Sequence, residues 1–193
     1  MGETMSKTVS ARISSQDFDF EHQPARIVAN RNCQEIKLAG LNVGPFEEGN
    51  DYEIYNWMAW ELEKSGIVHF REDGSLNMAK LNKLQWSERV QTVGQILRLP
   101  EDFYPRLRRY LAGLRKEASK SPEKVIENEK ARQLTRDIVN SRLKKIVSIA
   151  SAPAQTEQTL KNLTVEERFL YDGLYEFINQ WRTQILEYEE GEE

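Results

Sequence analysis

The chain has 193 residues, 39% of them hydrophobic and 30% charged, with a formal net charge of −4, one cysteine and two histidines. That length fits one ordinary domain or two small ones, with a real core under a heavily solvated surface. The composition excludes a disulfide framework and a histidine-rich metal site, and it offers no overall electrostatic case for nucleic acid or an anionic membrane.

Residues 1–23 are polar and rich in Ser, Thr, Asp and Glu, and read as a flexible N-terminal arm. Phe18 and Phe20 alternate there with Asp17 and Asp19, so an added edge strand or a short linear motif is the other reading. The stretch lacks the apolar core of a secretory signal, and no segment approaches the roughly 20 apolar residues of a membrane span. With an unpaired Cys33, this points to a soluble, cytoplasmic protein.

Order is expected from Pro24. The runs 25–29 and 35–39 are strand-like and separated by the turn residues Asn30-Arg31-Asn32. Gly40, Gly44, Pro45 and Gly49 punctuate the next stretch. Ile54, Met58 and Leu62, joined by Trp57, then recur at helical spacing, with Gly66 placed as a C-terminal cap. Ile67-Val68-His69-Phe70 returns as a strand before the Asp73-Gly74 turn. Residues 24–76 therefore read as a small β-rich domain, and about 50 residues bury little surface alone.

The remainder reads as helical. Met78, Leu81, Leu84, Trp86, Val90 and Val93 mark a helix over 77–98, and Phe103, Leu107, Tyr110, Leu111 and Leu114 mark the next. Ser121-Pro122-Glu123 is a helix start: serine caps free amides, proline is tolerated at the first position, and a carboxylate faces the positive helix end. From there Ala131, Leu134, Ile138, Val139, Leu143, Ile146 and Ala150 predict one long helix to about residue 150, either a bundle helix or one strand of a coiled coil. Arg142, Lys144 and Lys145 in its last turns suit the negative helix end. After a polar loop, Thr164-Val165-Glu166-Glu167 has capping-box spacing and opens a final helix with Leu174, Phe177, Trp181 and Ile185. Residues 188–193 form an acidic tail. The expected architecture is α+β, a small β-rich domain followed by a four-helix bundle over 77–187.

No enzyme site emerges. The Gly40 to Gly44 spacing is followed by Pro45 rather than Lys-Ser/Thr, so there is no P-loop, and GxGxxG, HExxH and GxSxG are absent. No catalytic, cofactor-binding or metal-ligating residue is assigned. Glu127, Glu129, Asp137, Glu166 and Glu167 read as carboxylates of solvated helix faces. Residues 100–150 carry 13 Lys or Arg against 7 Asp or Glu. Arg108, Arg109, Arg115 and Lys116 are candidate phosphate contacts, so a nucleic-acid-binding module is the alternative to a protein-facing surface. Phe46, Trp57 and Trp60 form either core or a partner patch, since aromatic residues anchor interfaces. Leu134, Ile138, Leu143, Ile146, Leu174 and Trp181 are the candidates for core or subunit interface in the helical part.

Four stretches together carry a resemblance. Leu41-Asn42-Val43-Gly44-Pro45-Phe46 with Gly49, Tyr52-Glu53-Ile54 with Trp57-Met58-Ala59, Leu99-Pro100-Glu101-Asp102-Phe103 opening a helix, and Asn162 to Glu167 before the last helix occur in the order found in GINS subunits. The chain resembles the small-domain-first class in its archaeal form, across residues 24–187. It departs from the family where Tyr55-Asn56 replaces a proline before the Trp-x-Ala helix. The resemblance implies a non-catalytic replication subunit without cofactor. It implies pairing with another GINS subunit as a dimer of dimers, and a scaffold joining the MCM helicase to a RecJ-like or Cdc-forty-five-like partner. It places the chain at the nucleoid, with direct DNA contact secondary.

Overall fold

The computed structural model describes residues 2–38, 40–71, 75–90, 95–153 and 156–186. The chain divides into two compact units, Met1–Ser75 and Leu76–Glu193. The first unit opens with helix α1 (Gly2–Glu21), followed by strands β1 (Pro24–Ala29), β2 (Ile36–Leu38), β3 (Leu41–Val43) and β4 (Asp51–Tyr55), helix α2 (Asn56–Lys64) and strand β5 (Val68–Phe70). The second contains α3 (Met78–Val90), α4 (Phe103–Ala118), α5 (Pro122–Ser151), the single turn α6 (Glu157–Leu160) and α7 (Val165–Leu186).

In the first unit β1 is central. It pairs antiparallel with β4, Ile27 opposite Tyr52, and with β5, Ile27 opposite Phe70, while β2 and β3 form a separate hairpin. Ile27, Ala29, Val43, Phe46, Met58, Ala59 and Val68 make an apolar core between strands and α2. α2 begins directly from β4, with Tyr55 extended at its N-cap position and no side-chain cap. Asn56 is buried and donates its amide to the Phe20 carbonyl at 3.0 Å. The helix ends as the glycine predicts. Gly66 has φ +67°, and Ile67 N–H reaches back to the Leu62 carbonyl at 2.9 Å.

Residues 2–21 are helical, which corrects the flexible-arm reading. Period-2 alternation at 17–20 suggested a strand, but the helix sets Phe18 against His22 one turn on, and buries Phe20 against Trp60 with ring centroids 5.7 Å apart. The residue that holds the end of α1 lies 40 positions away, beyond the reach of a local pattern.

In the second unit the helix expected over 77–98 is described as Met78–Val90. Residues 95–100 are non-helical, and Ile96 and Leu99 from that segment are buried in the bundle. Val93, the Asp73-Gly74 turn and the acidic tail at 188–193 lie outside the described residues. α5, 30 residues and about 45 Å long at 1.5 Å per residue, packs against α3, α4 and α7. Ser121 accepts from the Lys124 amide at 3.3 Å and Pro122 takes the first helical position, as the sequence predicts. Leu81, Phe103, Leu107, Leu114, Ala131 and Ile138 form one apolar cluster, and Ile146, Ile149, Ala150 and Tyr171 are centred on another. Among the described residues no helix is long and apolar enough to cross a membrane.

Candidate subunit interface

The long helix carries two faces. Its buried line reads Ala131, Ile138, Arg142, Lys145, Ile149, so two cations interrupt an apolar stripe. Arg142 and Lys145 do not serve the helix end in solvent, and Glu167 does not lie on a solvated face; both expectations are corrected here. Side-chain exposure is 1% for Arg142 and Glu88, 3% for Glu167 and 5% for Lys145. Arg142 grips Glu167 with a two-bond fork, Nε to Oε1 at 2.7 Å and Nη2 to Oε2 at 2.6 Å. Its Nη1 donates to Glu88 Oε1 at 3.0 Å and to the Leu97 carbonyl at 2.7 Å. Lys145 Nζ donates to Glu88 Oε2 at 2.6 Å. Tyr104 on α4 donates its hydroxyl to Glu167 Oε1 at 2.8 Å.

Two carboxylates thus meet two cations in a site with no formal net charge, and α3, α4, α5, α7 and the 95–100 segment all contribute. Isolated charges in such a place would be prohibitively costly; paired and fully hydrogen-bonded ones are tolerated. Burial opposes the Arg142 charge, but the carboxylates of Glu167 and Glu88 outweigh it, so the guanidinium pKa is raised above the ordinary arginine value. Burial, reinforced by the Glu167 carboxylate, pushes the Tyr104 hydroxyl well above the ordinary tyrosine range. Glu167 also completes the predicted capping box. Thr164 N–H donates to its carboxylate at 3.1 Å, and its own N–H donates to Thr164 Oγ1 at 3.3 Å. The readable signal was the pair of cations three apart on the same helix line as Ile138 and Ile149.

The other face of α5 is apolar and uncovered. The stripe expected as one line splits. Ile138 and Ile146 turn inward, Leu134 is half-buried, and Val139, Leu143 and Val147 are exposed. On α7, Leu174 is half-buried, whereas Leu170, Phe177, Trp181 and Ile185 are exposed. The pairing of Arg142 with Glu167, and of Arg182 with the Ser151 carbonyl, advances along both helices, so α5 and α7 run in the same direction. At 3.6 residues per turn, Val139, Leu143 and Val147 stand ahead of α5's buried line, and Leu170, Phe177 and Trp181 stand behind that of α7. For parallel neighbours, a leading flank on one and a trailing flank on the other share a side. The exposed apolar residues therefore form one face of the α5–α7 pair.

The remaining candidates fall elsewhere. Phe46 and Trp60 are buried and Trp57 half-buried, so the aromatic group of the first unit is core rather than an exposed patch. Arg108 reaches Glu166 at 3.3 Å, and Arg109 is half-buried with a partner inside the fold. Arg115 and Lys116 are exposed in the last turn of α4, where cations suit the helix dipole. The basic stretch is thus partly answered by carboxylates of its own fold. Among the described residues no group of three or more His, Cys, Asp or Glu could hold a metal ion.

Against known proteins, the Sld5 family, described as the GINS complex protein helical bundle domain, matches residues 75–186. The human protein named DNA replication complex GINS protein PSF2 is 25% identical over 154 residues, covering 78% of this chain and 79% of the relative. The family match spans the unit that contains the ionic cluster and the apolar face, and the chain belongs to the GINS complex protein family.

Proposed function

We propose that this chain is a non-catalytic GINS subunit of chromosomal DNA replication. It assembles with a second GINS subunit type into a tetramer, a dimer of dimers of the archaeal kind. The assembly works as a replisome scaffold at the nucleoid, linking the MCM helicase ring to a RecJ-like or Cdc-forty-five-like partner. The observation that supports this most is the apolar face of α5 and α7. Phe177, Trp181 and Ile185 are exposed at one-turn spacing beside Leu143 and Val147, a combination a monomer has no reason to keep in water. Burying such a face supplies the association energy, and its polar rim sets the choice of partner. The small unit and the bundle form separate compact bodies, as a two-domain subunit requires.

The test is the mass of the full chain by light scattering, alone and mixed with GINS, MCM and RecJ-like proteins of the same source. A tetramer that captures the helicase supports the scaffold. A monomer indifferent to those proteins overturns it. Pairing of Arg108 with Glu166 and of Arg106 with Asp102 weighs against a nucleic-acid module. Phosphate binding would fall steeply with salt, whereas an apolar interface would not.

A further inference from the structure

Helix α3 carries four charged residues, Lys80, Lys83, Glu88 and Arg89. Its single carboxylate, Glu88, is turned inward onto Arg142 and Lys145 and is withdrawn from the surface. What remains outside is basic. On that outward side Trp86 is 66% exposed and Val90, one turn on, is 64% exposed. Lys83 precedes Trp86 by three positions and Arg89 follows it by three. Residues three or four apart are neighbours on a helix surface, so the two exposed cations bracket the indole.

This patch is separate from the α5–α7 face. α3 meets α5 through Arg142 and Lys145 on the buried line and through Asp137 and Ser141, which trail it, whereas Val139, Leu143 and Val147 lead it. A subunit contact on the leading flank does not reach the side of the bundle on which α3 lies. Exposed tryptophan beside arginine is the composition of a binding hot spot.

We infer that the outward face of α3 is a docking surface for an acidic peptide segment bearing a bulky apolar residue. The apolar anchor packs on Trp86 and Val90, and its flanking carboxylates meet Lys83 and Arg89. Charge complementarity selects the acidic partner. The aliphatic neighbour selects a peptide over single-stranded nucleic acid, for which a platform sets successive aromatics along a basic groove. The inference stands on α3 alone and does not depend on the proposed scaffold role.

The experiment is fluorescence anisotropy of a labelled synthetic peptide, acetyl-Asp-Glu-Asp-Phe-Asp-Glu-Leu-Glu-Asp-amide, titrated with the full-length protein at low salt. Saturable binding is expected, weakened about tenfold or more by Trp86→Ser and by Lys83→Glu with Arg89→Glu, and largely retained in Trp86→Phe. The altered side chains are exposed, so the variants keep the fold, which circular dichroism checks. Absence of binding, or binding indifferent to Trp86→Ser, overturns the inference. So does tighter binding of a thymidine oligonucleotide at the same residues. Loss on subunit assembly of the share of quenching that Trp86→Phe removes also overturns it, since the occupant would then be another subunit.

Discussion

In the unit of residues 1–75, Ile27, Phe46, Met58 and Val68 meet one another with no charge among them, whereas the bundle's long helix sets Arg142 and Lys145 between Ile138 and Ile149. An apolar core is specified by volume and tolerates many repackings of similar energy. A forked arginine accepts one geometry, because both of its parallel bonds to Glu167 fail together when α7 shifts along α5. The contrast extends to the surface. The small unit buries Phe46 and Trp60, while the bundle leaves Phe177 and Trp181 outside. The unit with the more exacting interior is also the one that presents an apolar face needing a fixed shape.

That comparison breaks first at Arg142. Arg142→Ala leaves Glu88 and Glu167 facing each other in a buried site and should cost about 3–5 kcal/mol in urea denaturation. Replacing Arg142 by Met together with Glu88→Leu, Glu167→Gln and Lys145→Leu should recover most of that loss. If the single change costs no more than a surface substitution, the cluster is hydrated in solution and the contrast disappears. In the small unit, Phe46→Ala should cost a similar ~3–5 kcal/mol, by lost transfer energy and a cavity rather than by orphaned charge. A compensating larger residue nearby should rescue it, as no enlargement can rescue Arg142→Ala.

Smaller changes sharpen the picture. Tyr104→Phe removes one hydrogen bond to the Glu167 carboxylate and should cost about 1.5–3 kcal/mol at neutral pH. The native hydroxyl holds its proton more tightly than the unfolded one, so its contribution is complete below about pH 10 and falls as pH rises above that value. Tyr104→Phe should therefore make the alkaline loss of stability shallower, which thermal melts across pH 8–11 would reveal; an unchanged slope would mean that Tyr104 is not held by the cluster. Trp181→Ser should move the stability of the isolated chain by less than about 0.5 kcal/mol, as exposed positions do. The same change should weaken subunit assembly roughly tenfold or more by light scattering. Normal assembly of that variant would place the interface elsewhere.

The parts legible in the sequence were those written locally. Ser121-Pro122, Gly66 and Thr164 to Glu167 each declare a helix end through chemistry within a few residues, and the structure uses all three. The α+β order came from the short strand-like runs up to Phe70 and the helical spacing that continues from Met78. Features assembled from distant positions were not legible. Phe20 finds Trp60, Glu88 finds Arg142, and Tyr104 finds Glu167 across 40, 54 and 63 positions. Charge misled most. Arg142 and Lys145 suit a helix C-terminus so well that their place on the buried line passed for a solvent role. The even spacing of apolar residues on α5 likewise concealed that Ile138 and Val139 face different environments.

Glu167 has a consequence for the order in which the protein can be completed. During synthesis Glu88, Arg142 and Lys145 leave the ribosome before α7 does, and three charged groups without the fourth amount to one surplus cation. A nascent or truncated chain that stops short of Glu167 cannot close its bundle without burying that cation. The carboxylate that balances it is the same one that starts α7, which carries Phe177 and Trp181. Closure of the bundle and the start of the helix that bears its exposed aromatic residues thus depend on one side chain.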